Sequence, residues 1–309
     1  MATTTNITTT YAGEVARQYI SAALLSGNTL ANGGITEKLN IKYKEVVKRL
    51  ATGDLIADGT CDFTATSNVD LDERIIEPKE FQVNLELCKK DFRSDWEAVS
   101  MGMSAFDKLP PNFQSYLLSH VVEKVAEKTE DNIWVGDDAV AGEFDGFVTL
   151  AQADADVIDV PTPVAITDAN VQAEMRRLIN LIPSKLYGKS DSYIYISQNV
   201  YRAYVASLGG FGANGLGANG YMGQGPNQDI QPLMFDGVKL FVANGLDDNS
   251  MLFAQKSNLW FGTGLLSDHN EVKILDMADT DGSQNVRIIM RFTATVQYGY
   301  GSEIVLYKA

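Results

Sequence analysis

Gly210-Phe211-Gly212-Ala213-Asn214-Gly215 matches G-x-G-x-x-G, and Gly215-Leu216-Gly217-Ala218-Asn219-Gly220 matches it again. Glycines at this spacing let a backbone approach a pyrophosphate, provided a strand leads into them and a helix follows. Here the helical spacing of residues 199–208 leads in, and YMGQGPNQ follows with no helical pattern. No Gly-Lys-Ser/Thr follows either, so the segment is not a P-loop. The duplicated GxGAN unit reads better as a flexible loop at a domain tip. Binding of a small ligand there, by an α/β binding protein or enzyme, is the alternative it leaves open.

The other reactive side chains form no constellation. His120 and His269 are the only histidines and lie far apart in sequence. No His/Cys set has the helical or hairpin spacing of a metal site. Asp137/Asp138 and Asp247/Asp248 carry oxygens suited to Ca²⁺, but Asp-rich turns are usually only solvated. No G-x-S-x-G and no Cys–His arrangement is present. The residues therefore nominate no catalytic group, no metal and no cofactor, and the chain is not expected to be an enzyme.

Composition narrows the function class. The formal charge is −15 over 309 residues. That argues against electrostatic binding of nucleic acid and against adsorption on anionic membranes. Apolar residues make up 45% and charged residues 21%, as in an ordinary globular protein with a sizeable core. No apolar run approaches the length of a membrane-spanning helix. MATTTNITTT lacks the charged and apolar regions of a secretory signal. Cys61 and Cys88 are the only thiols, which fits synthesis in a reducing cytoplasm.

The element with the longest signal runs from about 111 to 134. Leu117, Leu118, Val121, Val122 and Val125 share one arc of a helix. Ser119, His120, Glu123, Lys124, Glu127, Glu130 and Asp131 share the other, which predicts a solvated stripe. Pro110-Pro111 suits its start and Gly136 its end. At 1.5 Å per residue the helix spans about 36 Å.

Elsewhere the signals are shorter. Val15, Ala16, Tyr19, Ile20, Ala23 and Leu24 recur at helical spacing inside an N-terminal stretch broken by Gly27 and by Asn32-Gly33-Gly34. Residues 41–50 are extended and basic, and 52–74 are polar, acidic and rich in turn formers. Phe81, Val83, Leu85 and Leu87 alternate with polar residues as in a half-buried strand. Two extended runs with a polar excursion between them predict a protruding β-hairpin with too little core to stand alone. Residues 91–103 read as helical. After the Asp- and Pro-rich crossing at 151–163, a helix capped by Thr167 ends at Pro183. A strand at 193–197, a helix at 199–208 and strands at 239–242, 251–254 and 259–261 follow. Val286, Ile288, Met290, Phe292, Ala294 and Val296 make the clearest strand, and 302–307 resume it after Gly299-Tyr300-Gly301.

This order resembles the major capsid proteins of tailed bacteriophages, whose fold also serves encapsulin shells. The resemblance rests on the long amphipathic helix, then Trp134-Val135-Gly136-Asp137, then Asp145-Gly146-Phe147-Val148. It rests also on the progression Gly237-Val238, Met251–Ala254 and Leu259-Trp260-Phe261-Gly262, and on the long final strand. It covers about residues 41–309, by order of elements more than by identity.

The resemblance implies an α+β fold: an N-terminal arm (1–40), an extended β-hairpin loop (41–80), a peripheral domain with the long spine helix and a sheet (81–150 and 272–309), and a mixed α/β apical domain (151–271). It implies a homo-oligomer of hexamers and pentamers closing an icosahedral virion shell around double-stranded DNA, made in the host cytoplasm. Portal and decoration proteins are expected as partners, as is a scaffold that is either separate or already trimmed away. Contact with packaged DNA would be non-specific, and no membrane is involved. An encapsulin-like compartment is the alternative of the same fold. Trp96, Trp134 and Trp260 are candidate anchors. Intersubunit contacts are expected from the loop acids Asp54, Asp58, Asp62, Asp70 and Asp72 and from Gly212, Gly215 and Gly217. Their cationic counterparts would be Lys42, Lys44, Lys48 and Arg49, or Arg176 and Arg177. Some relatives cross-link through a loop lysine, but none stands between Lys48 and Lys79 here, so shell strength would be non-covalent.

Overall fold

A computed structural model describes residues 28–53, 67–92, 111–209, 234–264, 272–279 and 282–309, with positions 56, 58, 59, 61 and 65. The long helix, α3, spans Pro111–Val135. Val121 is buried, Val122 and Val125 are half-buried, and Glu123 and Lys124 are exposed, as the arcs predict. The side chains of Leu117 and Leu118 lie outside the described residues.

Glu130 departs from that pattern. It is only 2% exposed, and Thr129, Asn132, Ile133 and Trp134 are buried around it. The last turns of α3 are enclosed because a short helix, α1 (Asn28–Ala31), docks on them. Residues 28–40, expected within a flexible arm, are thus part of the body. Thr29 and Ile35 are buried, and β1 (Thr36–Lys38) pairs parallel with β10 (Leu259–Gly262). The expected helix around 15–24 lies outside the described residues, as do Trp96 and the run 93–103.

Gly136 ends α3 for a steric reason. A Cβ there would stand 2.2 Å from the Phe144 carbonyl, and one at Gly146 would stand 2.5 Å from the Trp134 carbonyl carbon. The two glycines let the 137–145 loop close on the helix end. Gly146 N–H donates to the Gly136 carbonyl at 2.9 Å, and α4 (Phe147–Ala153) follows directly.

Two sheets meet on this helical layer. In the first, β12 (Asn285–Tyr298) pairs antiparallel with β4 (Lys79–Cys88) from Asn285↔Cys88 to Ala294↔Lys79. It also pairs antiparallel with β11 (Val272–Asp276) and with β10. Beyond β4, α2 (Lys89–Phe92) begins with Lys89, buried and 2.5 Å from Asp276. The second sheet has the order β5-β13-β9-β6-β8-β7. These strands are Ile158–Asp159, Val305–Lys308, Ser250–Gln255, Ser192–Ile196, Val238–Val242 and Met234–Phe235. Both its faces are buried, so its strands read as apolar runs. Ile194 and Ile196 face α5 (Val171–Asn180) and α6 (Gln198–Ser207). Tyr195 points the other way, onto Trp134 at a ring separation of 5.0 Å.

Several predicted bounds move. The α5 helix starts at Val171, because Thr167 forms a turn in which its N–H donates to Asn170 Oδ1 at 2.7 Å. β10 pairs within the first sheet, whereas the 259–261 strand was expected in the apical region; β13 leaves the first sheet for the second. Residues 301–303 form a 3-10 turn before β13.

Candidate assembly surface

The predicted hairpin exists, with a different second strand. β2 (Glu45–Thr52) pairs antiparallel with β3 (Val69–Ile76), which lies in the run expected to be a polar loop. Phe81–Leu87 belongs instead to β4 and pairs with β12. In β3, Asp70, Asp72 and Glu73 interrupt the β-branched pattern, which hid the strand.

Register gives the ribbon two unlike faces, because paired residues share a face. One carries Glu45/Ile76, Val47/Arg74 and Arg49/Asp72. It turns toward the body: Ile76 is fully buried, and its methyl would stand 2.7 Å from a Cβ at Gly262. Arg74 Nη2 meets Asp154 Oδ2 at 2.5 Å, and Arg49 Nη1 donates to the Gly299 carbonyl at 2.8 Å. Lys38–Glu45 (2.7 Å) and Lys44–Glu77 (2.8 Å) flank the root. The other face pairs Val46 with Ile75, Leu50 with Leu71 and Thr52 with Val69. Its apolar side chains are exposed, from 44% at Ile75 to 73% at Leu71. One charged rung, Lys48 opposite Glu73, interrupts these apolar pairs, and exposed apolar side chains grouped on one face of a ribbon make it a candidate docking surface.

Electrostatics at the root favours the ionised pair. Burial raises the Asp154 carboxyl, but hydrogen bonds from Asp156 N–H, Tyr298 and Arg74 outweigh it and hold the group below the usual carboxylate range. Burial, then the Asp154 hydrogen bond, pushes the Tyr298 phenol up, so it stays a donor.

The expected contact residues fall unevenly on this surface. Asp70 and Asp72 lie exposed on β3, and Asp58 is exposed in the connection. Asp54, Asp62, Gly212, Gly215 and Gly217 lie outside the described residues. Arg176 stands 3.7 Å from Asp236, and Arg177 binds Glu174 at 2.6 Å and the Pro161 carbonyl within its own chain. Trp134 is core, while Trp260 is half-buried with Lys38 4.9 Å from its ring. Arg49, expected as a cation for a neighbouring copy, binds its own chain; Arg74 and the exposed apolar positions were missed, and the alternation Val69, Leu71 against Asp70, Asp72 was the available signal.

A groove of about 390 Å³ lies between α3 and β4, lined by Phe81, Val83, Val121, Val125 and Phe292 among others, with His120, Lys124 and Lys128 contributing. Among the described residues no group of three His, Cys, Asp or Glu could hold a metal ion, and no helix is long and apolar enough to cross a membrane. The Gly-rich run lies outside the described residues; the described element before it is helix α6 and the one after it strand β7, whereas a dinucleotide site needs a strand before and a helix after.

No family model and no curated protein sequence matches the chain. Solved structures do, along nearly its whole length. The capsid of a native GTA particle matches with a TM-score of 0.61 at 14% identity, covering 96% of each chain. The capsid of Myoviridae phage XM1 matches at 0.60 and 11% identity, covering 95% of this chain and 96% of that one. The capsid of cyanophage P-SCSP1u matches at 0.57 and 11% identity, covering 97% and 92%. The fold is that of the tailed-phage capsid proteins. The β2–β3 ribbon lies within the span, 41–80, in which the extended loop was expected.

Proposed function

We propose that this chain is a major capsid protein, the subunit of an icosahedral tailed-phage shell enclosing double-stranded DNA. The observation that carries the reading is the β2–β3 ribbon, clamped to the body on one face and open on the other, where exposed apolar pairs flank one charged rung, on a fold matched along its length by capsid structures. A ribbon of this kind fits contact with a neighbouring copy. It gives a head-to-tail interface, which closes into rings when the rotation allows. Hexamers and pentamers are the rings this reading implies, with portal, scaffolding and decoration proteins as separate partners. The protein's role is then structural and its location the virion. Packaged DNA is near but not bound, because a −15 subunit offers no basic footprint.

The direct test is expression of the chain alone, followed by size exclusion and electron microscopy. Closed particles or capsomer rings are expected, and a monomer at every concentration overturns the reading. Particles purified from the source should hold DNA; a protein cargo in its place would mark an encapsulin-like compartment.

A further inference from the structure

Arg49 and Arg74 are the cationic side chains on the inward face of the ribbon, on adjacent same-face rungs. Each makes a two-part contact with one feature of the body. Arg49 donates to the Gly299 carbonyl at 2.8 Å and stands 5.7 Å from the Tyr300 ring. Arg74 meets Asp154 at 2.5 Å and stands 5.3 Å from the Tyr298 ring. Tyr298-Gly299-Tyr300 is the turn at which the chain leaves β12 in one sheet on its way to β13 in the other.

That turn is itself held rigid. Asn258 Oδ1 accepts the N–H groups of Gly299 at 3.0 Å and Tyr300 at 2.9 Å, and its Nδ2 donates to the Tyr300 carbonyl at 2.9 Å. The Tyr298 hydroxyl donates to Asp154 at 2.9 Å. Gly299 leaves room for this arrangement, since a Cβ would stand 2.8 Å from Asn258 Oδ1. The Nε–H of each arginine is buried with no acceptor among the described residues.

The geometry assigns Arg49 and Arg74 as positioning residues that aim the ribbon by tying it at two points beside the turn between the sheets, Arg49 to the turn itself and Arg74 to the Tyr298 ring and to Asp154, the residue after α4 that Tyr298 binds. One tether would leave the ribbon free to swing; two fix its tilt. The tilt sets the angle at which the apolar face meets the next copy. In a head-to-tail assembly that angle decides whether the ring closes or runs open. This inference rests on the shell-subunit reading.

The test uses the full chain with Arg49→Lys, Arg74→Lys and the double variant. Lysine keeps the charge but loses the planar fork and most of the ring stacking. Spin labels go on Cys61, exposed between β2 and β3, and on Cys88 at the end of β4. The expected result is an unchanged thermal melt, a widened label-to-label distance distribution, and loss of a uniform particle diameter in favour of mixed sizes and open sheets. An unchanged distance distribution overturns the assignment. So do uniform particles from a variant whose distances have widened. A double variant that does not fold, with both single variants assembling normally, shows the contacts to be merely structural and also overturns it. If the unmodified chain makes no particles, the shell reading fails by itself, while the label distances still decide whether the arginines fix the ribbon.

Discussion

Glu130 joins the start of the described chain to its longest helix. Its carboxylate accepts Thr29 N–H at 3.1 Å and the Thr29 hydroxyl, and Trp134 Nε1 donates to that hydroxyl oxygen at 2.9 Å. Burial raises the carboxyl, the bonds from Thr29 and Trp134 oppose it, and Asp131 adds a like charge. The folded protein therefore holds this proton more tightly than the unfolded chain does. Stability from this group is greatest below the ordinary Glu value of about 4.3 and falls as pH rises toward the raised value. Asp154 has the opposite sign: its depressed carboxyl stabilises the fold above the ordinary Asp value of about 3.9 and loses that effect as pH falls below it. Glu130→Gln should remove the decline above about pH 4.3 in urea titrations and leave the acid limb due to Asp154. Thr29→Ala strips the buried carboxylate of its hydroxyl donor and should cost about 1–3 kcal/mol by the same measurement. Nothing in the helical spacing announces this cluster. Glu130 falls on the charged arc, and only a segment about a hundred residues earlier in the chain buries it.

At the scale of elements, legibility followed periodicity. The α3 helix and β12 were readable because one pattern runs unbroken over many residues, and the hairpin turn at Asp236-Gly237 because both residues take positive φ (45° and 82°). β3 was not, because its alternate positions are acids, which are rare in strands whose partners lie in the same sheet core. That strand makes the sharpest test of the stripe. Leu50→Asp and Leu71→Asp replace side chains 58% and 73% exposed. The subunit should keep its stability to within about 0.5 kcal/mol, as surface substitutions do. Assembly should be lost, since burying such a side chain at a neighbour is worth about 1.5–3 kcal/mol per contact. Sedimentation and thermal melts separate the two effects; particles at normal yield would remove the stripe from the interface. Val121→Asp, by contrast, places a charge where only 4% of the residue is exposed, and should destabilise the fold by several kcal/mol while Glu123→Gln is mild. Deleting residues 1–30 removes Asn28, Thr29 and Leu30 from the body, so a loss of stability is expected in place of a merely weaker assembly.

For the whole molecule the question is how subunits of charge −15 come together at all. The acidic ribbon suggested docking on a neighbour's cations, and hence assembly that weakens with salt. The structure points to the reverse. Among the described residues, Arg49 pairs with Asp72, Lys44 with Glu77, Lys38 with Glu45 and Arg74 with Asp154, all within one chain. Arg176 and Arg177 likewise meet Asp236 and Glu174 of their own chain. The cations proposed as receptors are mostly engaged at home, and the open face of the ribbon is apolar but for one rung, Lys48 opposite Glu73. What remains between copies is repulsion between like-charged bodies, which acts over a screening length of about 10 Å at 0.1 M salt. Raising salt shortens that range and leaves apolar burial intact or strengthened. Assembly followed by light scattering should therefore begin at lower protein concentration as NaCl rises from about 0.05 M to about 0.5 M. Sulfate should act more strongly than chloride at equal ionic strength, because it is excluded from apolar surface. The Leu50→Asp and Leu71→Asp variants should gain nothing from either salt. A threshold that rises with NaCl would show that charge contacts between copies dominate, and docking through the apolar stripe would have to be abandoned.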